Sequence, residues 1–373
     1  MKNLTIKLVL FLVLTSLFSS CKVGRFVTYN FADITDHKIF PSRTIETSQE
    51  PFLYPYTQNG FVPDSLSVTR KGKNTRVPFK TYLEDNKTVA FIIIHKDSIR
   101  YENYFNKYDE TSIVNSFSMA KSFLSILVGC ALDDGLITSI KEPITNYLPE
   151  LKANGFENIT IEHLLNMESG IEFNESYINP FGHAASFYYG TNIRKEVSKL
   201  KVEVKEGKRF SYRSGDSQIL GLVLDAALGE KNISEYLEEK IWKPLGMEYN
   251  ATWSLDRKKD GVEKTFCCVN ARARDFAKIG TLYLKKGNWN GKQIVSKDWV
   301  EKSTKYDTIN SKAGHYQHQW WINKKDNSYE AEGILGQHIY VNPEKEIIIV
   351  RLGKKVGKTG SWTSLFQGIA AKY

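Results

Sequence analysis

Ser118-Met119-Ala120-Lys121 sets a hydroxyl and an amine three residues apart, where the chain switches to helical spacing. Residues three apart on a helix share a face, so the serine oxygen and the lysine nitrogen stand side by side. The pairing suits nucleophilic catalysis. An unassisted serine attacks poorly, and a lysine whose pKa is lowered by desolvation can take its proton. The start of a helix adds unpaired N–H groups and positive potential where an oxyanion would form. Serine and lysine recur at this spacing by chance, so partners must come from elsewhere in the chain. One candidate is Tyr212, in Phe210-Ser211-Tyr212-Arg213-Ser214-Gly215 just ahead of an apolar helix at Ile219. Alone it is one tyrosine of twenty, and most of those are half-buried aromatics.

The elements that must position these residues can be read from periodicity. Val89 to Ile94 is a continuous apolar run closed by Lys96-Asp97-Ser98 and followed by an alternating stretch from Ile99 to Phe105, which predicts a hairpin buried on its first arm. From Ser118, apolar positions at Ala120, Phe123, Leu124, Leu127, Val128 and Ala131 predict a buried helix that stops at Asp133-Asp134-Gly135. Helices are expected at Gln218–Leu228, Ile233–Ile241 and Ala273–Lys286, with a turn at Asn290-Gly291. Strands follow at Tyr329–Glu332, Gln337–Val341 and Ile347–Leu352, and a last helix at Trp362–Lys372. Strands near both ends imply one sheet assembled from distant parts of the chain. The stretch from about 140 to 205 reads as a helical insert, and residues 21–80, broken by Pro41, Pro51, Pro55 and Pro63, as an irregular tether and arm.

Taken in order, Ser118-x-x-Lys121, Tyr212-Arg213-Ser214 and Ala331-Glu332-Gly333 resemble the three motifs of the penicillin-binding-protein and class C β-lactamase superfamily of serine hydrolases, S-x-x-K, Y-x-N and K-T-G or H-x-G. Supporting stretches are similar too, among them Ile159 to Gly170 and Pro244-Leu245-Gly246-Met247. The resemblance covers roughly residue 85 to the end. It implies an α/β (α+β) architecture of the β-lactamase/transpeptidase-like fold: an antiparallel sheet flanked by helices, plus a mostly helical subdomain. It also implies a Ser118 acyl-enzyme, with Lys121 and Tyr212 sharing the proton work and no cofactor. Ser118 and Ile334 would supply the two oxyanion N–H groups, while Tyr177, Ser214 and Gly333 would contact substrate. Two departures matter. Ser214 replaces an asparagine, and Ala331 occupies the place of the cation that holds a substrate carboxylate. The pattern therefore looks closest to the branch of esterases and 6-aminohexanoate-oligomer hydrolases. A small ester or amide is the expected substrate, unless Arg213 or Lys312 reaches the vacated place and restores a β-lactamase or D-amino-acid peptidase. A catalytically idle envelope protein is the other alternative.

Composition bounds the rest. The chain has 373 residues and a formal charge of +9, but its basic residues are scattered, with no stripe interleaved with aromatics, so no nucleic-acid partner is expected. Lys2, Lys7 and the apolar stretch from Leu8 to Phe18 form a leader too short to span a bilayer, which predicts a signal peptide over residues 1–20. Phe18-Ser19-Ser20-Cys21 resembles a bacterial lipobox, implying a lipid on Cys21, a membrane anchor and an exported envelope protein. Cys130, Cys267 and Cys268 are expected to be packed small hydrophobes, since adjacent cysteines rarely bridge. The seven histidines lack metal-ligand spacing, so no metal is expected. His163 and His338 read as structural, and Trp320-Trp321 as core.

Overall fold

The apolar run from Val89 shows no alternation because its strand is covered on both faces. The computed structural model describes residues 22–29, 31–57, 59–70, 73–309 and 311–373. The run becomes β1 (Thr88–His95), which turns at Lys96 and Asp97 into β2 (Ser98–Tyr104). Both turn residues are left-handed, with φ of 49° and 58°, the conformation that matches the twist of a tight hairpin. Five strands from the far end of the chain complete the sheet: β3 (Tyr316–Gln317), β4 (Trp320–Asn323), β5 (Ser328–Gly333), β6 (Gln337–Asn342) and β7 (Ile347–Gly353). Their order is β3-β4-β5-β6-β7-β1-β2, with every neighbouring pair antiparallel. The seam is β7 against β1, where Ile348 faces Ile94 and Val350 faces Ile92.

Pleating sorts the side chains into two layers. Ala90, Ile92 and Ile94 join the main core, whereas Phe91 and Ile93 join a second core with Trp362 and Phe366. Four helices matter for the site: α1 (Ala120–Asp133), α2 (Ser214–Leu228), α3 (Ala273–Leu284) and α4 (Trp362–Ala370). Every residue of α1 from Ala120 to Ala131 is buried, which makes this helix the centre of the main core. α4 covers the outer sheet face. α3 crosses the inner face at Gly280, where an added Cβ would stand 2.7 Å from Ile348 Cγ2.

The expected helical insert appears as five short helical segments between Ile144 and Val197. The arm is more regular than its prolines suggested. It contains a helix (Lys22–Tyr29), a strand (Ser42–Ile45) paired antiparallel with Ala251–Ser254, and a hairpin of Ser65–Arg70 with Lys73–Pro78. Residues 1–20 and Cys21 lie outside the described residues, so the expected leader and lipid site have no structural counterpart here. No helix among the described residues is long and apolar enough to cross a membrane.

The close approach at Gly280 generates a stability prediction. A Gly→Ala change inside a helix gains about 1 kcal/mol of helix propensity, but overpacking against Ile348 costs about 1–3 kcal/mol. Gly280→Ala should therefore lower the urea midpoint. A midpoint at or above that of the parent would mean that α3 can lift off the sheet without loss.

Candidate active site

The chain reaches Ser118 through a constrained turn. Strand Val114–Asn115 leads into a 3₁₀ turn, Phe117–Met119, and only then into α1. Ser118 thus sits in the turn before the α-helix rather than opening it. Phe117 is left-handed at φ 45°, a conformation that costs a non-glycine residue about 1–3 kcal/mol unless its surroundings enforce it. They do so here. Phe117 N donates to Asn115 Oδ1 at 2.8 Å, Val269 N donates to Ser116 Oγ at 3.1 Å, and Asn115 N donates to the Ile34 carbonyl at 3.1 Å.

One turn on, Lys121 is 1% exposed. Its Nζ donates to Ser118 Oγ at 3.0 Å, Ser214 Oγ at 3.3 Å and the Phe266 carbonyl at 2.7 Å. Three acceptors match the three protons of an ammonium, and a neutral amine would keep two of those bonds and turn its lone pair to the serine hydroxyl. Burial pushes the amine down to about 8, with the Glu175 carboxylate pulling the other way. Near neutral pH the base is therefore within reach of its unprotonated form. Burial holds the Tyr212 phenol well above the usual tyrosine range, with neighbouring Ser118 pulling the other way, so it stands protonated. Its ring stacks on Trp321 with centroids 5.6 Å apart, and Lys121 Nζ lies 5.0 Å from its centre.

Glu175 was not singled out from the sequence. It accepts from Ser214 N at 2.7 Å and from Ser214 Oγ at 2.6 Å, and the Tyr177 hydroxyl also donates to it at 2.6 Å. Ser214 therefore connects the lysine to a carboxylate. The signal was the family asparagine's replacement by serine: a hydroxyl that accepts from Lys121 still has a proton to place, and the loop Phe173 to Tyr177 holds the nearby acid. Tyr177 lines the cavity, and its hydroxyl is committed to Glu175.

The third motif lies at the end of β5. A Cβ on Gly333 would stand 2.4 Å from the Ser116 carbonyl, so glycine lets this strand press against the nucleophile turn. Ile334 and Ser118 line the same cavity. Ala331 is fully buried and paired with Ile339, leaving the expected gap in charge. Neither Arg213 nor Lys312 lines the cavity at Ser118. Arg213 acts on the carboxyl of Asp216 and Lys312 on that of Glu168.

Trp320 is core, whereas Trp321 backs Tyr212. His163 caps a helix by accepting from Thr160 N at 3.1 Å. His338 Nδ1 lies 3.0 Å from Glu330 Oε2, and with Glu332 these form a group whose ligand atoms fall within 4.8 Å of one another. Glu330 is already bonded to Thr363 and Asn323 as well. One expectation is overturned: Cys267 and Cys268 are disulfide-bonded to each other, and only Cys130 is a free buried thiol among the described residues. Adjacent cysteines can bridge here because Cys268 takes a left-handed φ of 77° inside a tight turn, in which Cys267 N donates to the Lys264 carbonyl.

A helix-buried lysine bonded to a turn serine, beside a seven-stranded antiparallel sheet, defines the fold class of penicillin-binding proteins and serine β-lactamases. The chain belongs to the Beta-lactamase family, whose model matches residues 79–372. It is 26% identical over 320 residues to the 6-aminohexanoate-dimer hydrolase of Paenarthrobacter ureafaciens, covering 79% of this chain and 80% of that protein. A solved Bacillus anthracis protein, provisionally assigned as a 6-aminohexanoate-dimer hydrolase, superimposes with a TM-score of 0.79 at 26% identity, covering 91% of each chain. A family VIII carboxylesterase shares the fold, with a TM-score of 0.62 at 16% identity over 79% of this chain and 93% of that one. The chain is thus a β-lactamase-family member with hydrolase homologues.

The lysine's surroundings can be titrated directly. Glu175 favours the ammonium, so Glu175→Gln should move the Lys121 midpoint below its starting value near 8. Carbon-13 NMR of labelled lysine Cε would follow it. A midpoint that stays put would show that Lys121 does not feel this carboxylate.

Proposed function

We propose that the protein is a serine hydrolase that cleaves an ester or amide through a Ser118 acyl-enzyme. The observation that carries this reading is the desolvated Lys121 amine, 3.0 Å from Ser118 Oγ. In the proposed cycle, Ser118 Oγ bonds to the substrate carbonyl carbon as its proton passes to neutral Lys121. The oxyanion is held by the N–H groups of Ser118 and Ile334. Protonated Tyr212, beside Ser118 and Lys121, passes a proton toward the leaving oxygen or nitrogen as its bond to carbon breaks, and the Lys121 ammonium returns one to Tyr212. Water then attacks the ester of Ser118 as Lys121 takes its proton, and the Lys121 ammonium returns that proton to Ser118 Oγ as the acid is released. No cofactor enters this scheme.

Small neutral esters fit better than β-lactams, because buried Ala331 offers no charge to a substrate carboxylate. Such a charge-assisted hydrogen bond is worth about 1.5–3 kcal/mol, or about ten- to a hundredfold in rate. Export, and anchoring to a membrane by a lipid on Cys21, remain part of the proposal on the leader alone. A radiolabelled-palmitate incorporation assay on the Cys21→Ser chain addresses them.

A fluorophosphonate probe and intact mass spectrometry test the nucleophile. Ser118→Ala should lose the adduct and all turnover, while Tyr212→Phe should keep labelling slowly and lose about 10²–10⁴-fold in turnover. An adduct on Ser169 or Ser214 would reassign the nucleophile. Substrate class is read by steady-state kinetics: a short p-nitrophenyl ester should give a higher kcat/KM than any cephalosporin. The reverse order would make the protein a β-lactamase.

A further inference from the structure

The cavity that opens onto Ser118 has a volume of about 350 Å³, near the lower end of the about 300–1,000 Å³ typical of small-molecule sites. No residue lining it carries a charge. Its walls include Phe117, Tyr188, Tyr189, Ile334 and Leu335, and the exposed Phe31 and Tyr177, with Ala32, stand at its edge. Phe31 is 60% exposed, as a rim residue should be, and it lies well before the family-matched region that begins at residue 79.

The arm that carries this rim is fixed in place. The Ile34 carbonyl accepts from Asn115 N, three residues before the nucleophile. The hydroxyl of Tyr188, itself a wall residue, donates to Asp36 Oδ2 at 2.6 Å, and its ring meets Phe40 edge-on at 5.1 Å. Phe26 packs edge-on against Tyr189 at 5.3 Å. Strand Ser42–Ile45 then anchors the arm to Ala251–Ser254. Phe31 and Ala32 therefore sit on an arm that is held against the core on both sides of them.

The cavity also has a direction. Tyr212, which hands a proton to the leaving atom, does not line it, and neither do the Tyr316 and Trp321 rings behind Tyr212. The leaving group must lie on the Tyr212 side, so the remaining substituent of the carbonyl carbon points into the cavity.

We propose that this cavity is an acyl pocket selecting an uncharged, apolar acyl chain of medium length, and that Phe31 and Ala32 of the N-terminal arm clasp the distal end of that chain. The proposal rests on the acyl-enzyme reading above. Each buried methylene gains at most about fourfold in kcat/KM. A terminal ammonium or carboxylate would enter without a counter-ion and lose its hydration. The pocket thus favours a hexanoyl or octanoyl group over a 6-aminohexanoyl group of similar length.

The test uses p-nitrophenyl acetate, butyrate, hexanoate, octanoate and 6-aminohexanoate with the full chain, alongside alkyl acetates of increasing alcohol length. Calorimetric titration of Ser118→Ala with acetamide, octanamide and 6-aminohexanamide reads the pocket without turnover. The proposal expects kcat/KM to climb from acetate to octanoate, the aminohexanoate to fall at least tenfold below the hexanoate, and octanamide to bind best. Phe31→Ala should compress the octanoate-to-acetate ratio fourfold or more, and Ala32→Trp should move the optimum to shorter chains. A flat acyl series, a gain that follows alcohol length instead, or an aminohexanoate equal to the hexanoate would overturn it. Tight octanamide binding with no turnover and no Ser118 adduct would instead leave the pocket standing and remove the acyl-enzyme reading.

Discussion

A single ammonium group taken out of water organises this molecule. Burying a charge costs several kcal/mol unless acceptors surround it, and Lys121 finds its acceptors on three separate pieces of chain: the nucleophile turn, the first residue of α2, and the Phe266 carbonyl. Those pieces must converge on one point for Lys121 to be buried with its hydrogen bonds made. The same convergence that makes the lysine tolerable lowers its proton affinity, so stability and reactivity draw on one arrangement. Glu175 tempers it from behind Ser214, holding the amine close to the range in which it can exchange its proton.

The sheet serves that point from the other side. Joining β7 to β1 sets Ile347–Gly353 against Thr88–His95, and β5 delivers Gly333 against the Ser116 carbonyl. The strained Phe117 is tolerable because Asn115, Ser116 and Val269 grip the turn on either side. Asn115 is in turn held by Ile34, so the arm supports the nucleophile while it walls the cavity.

Where a residue's role is local, the sequence announced it. The hairpin at Lys96-Asp97, the stop at Gly135 and the strands around Asn342-Pro343 follow from turn chemistry and period. Ser118 and Lys121 stood out by helical spacing, and Tyr212 by its place among ordered motifs. What escaped depends on distant partners. Ser42–Ile45 is four residues long and pairs across more than half the chain, so nothing nearby marks it as a strand. Glu175 became part of the site only because α2 brings Ser214 beneath it, and Trp321 only because Tyr212 lies against it. The bridge between Cys267 and Cys268 was missed for a different reason: the general scarcity of such bonds outweighed a backbone conformation that no composition reveals.

That bridge also has an unusual thermodynamic character. A disulfide stabilises a fold mainly by shrinking the unfolded ensemble, to an extent that grows with the loop it closes, and this one encloses a single peptide unit. It ties no two regions of the chain together and so contributes little to global resistance against unfolding. Its influence is confined to the local backbone, next to the Phe266 carbonyl that receives the lysine proton and at the wall that Cys267 shares with the cavity. Opening it would act as a local softening: a chain that still melts cooperatively, near its former temperature, but whose catalytic amine has lost the stiffness of one of its three supports.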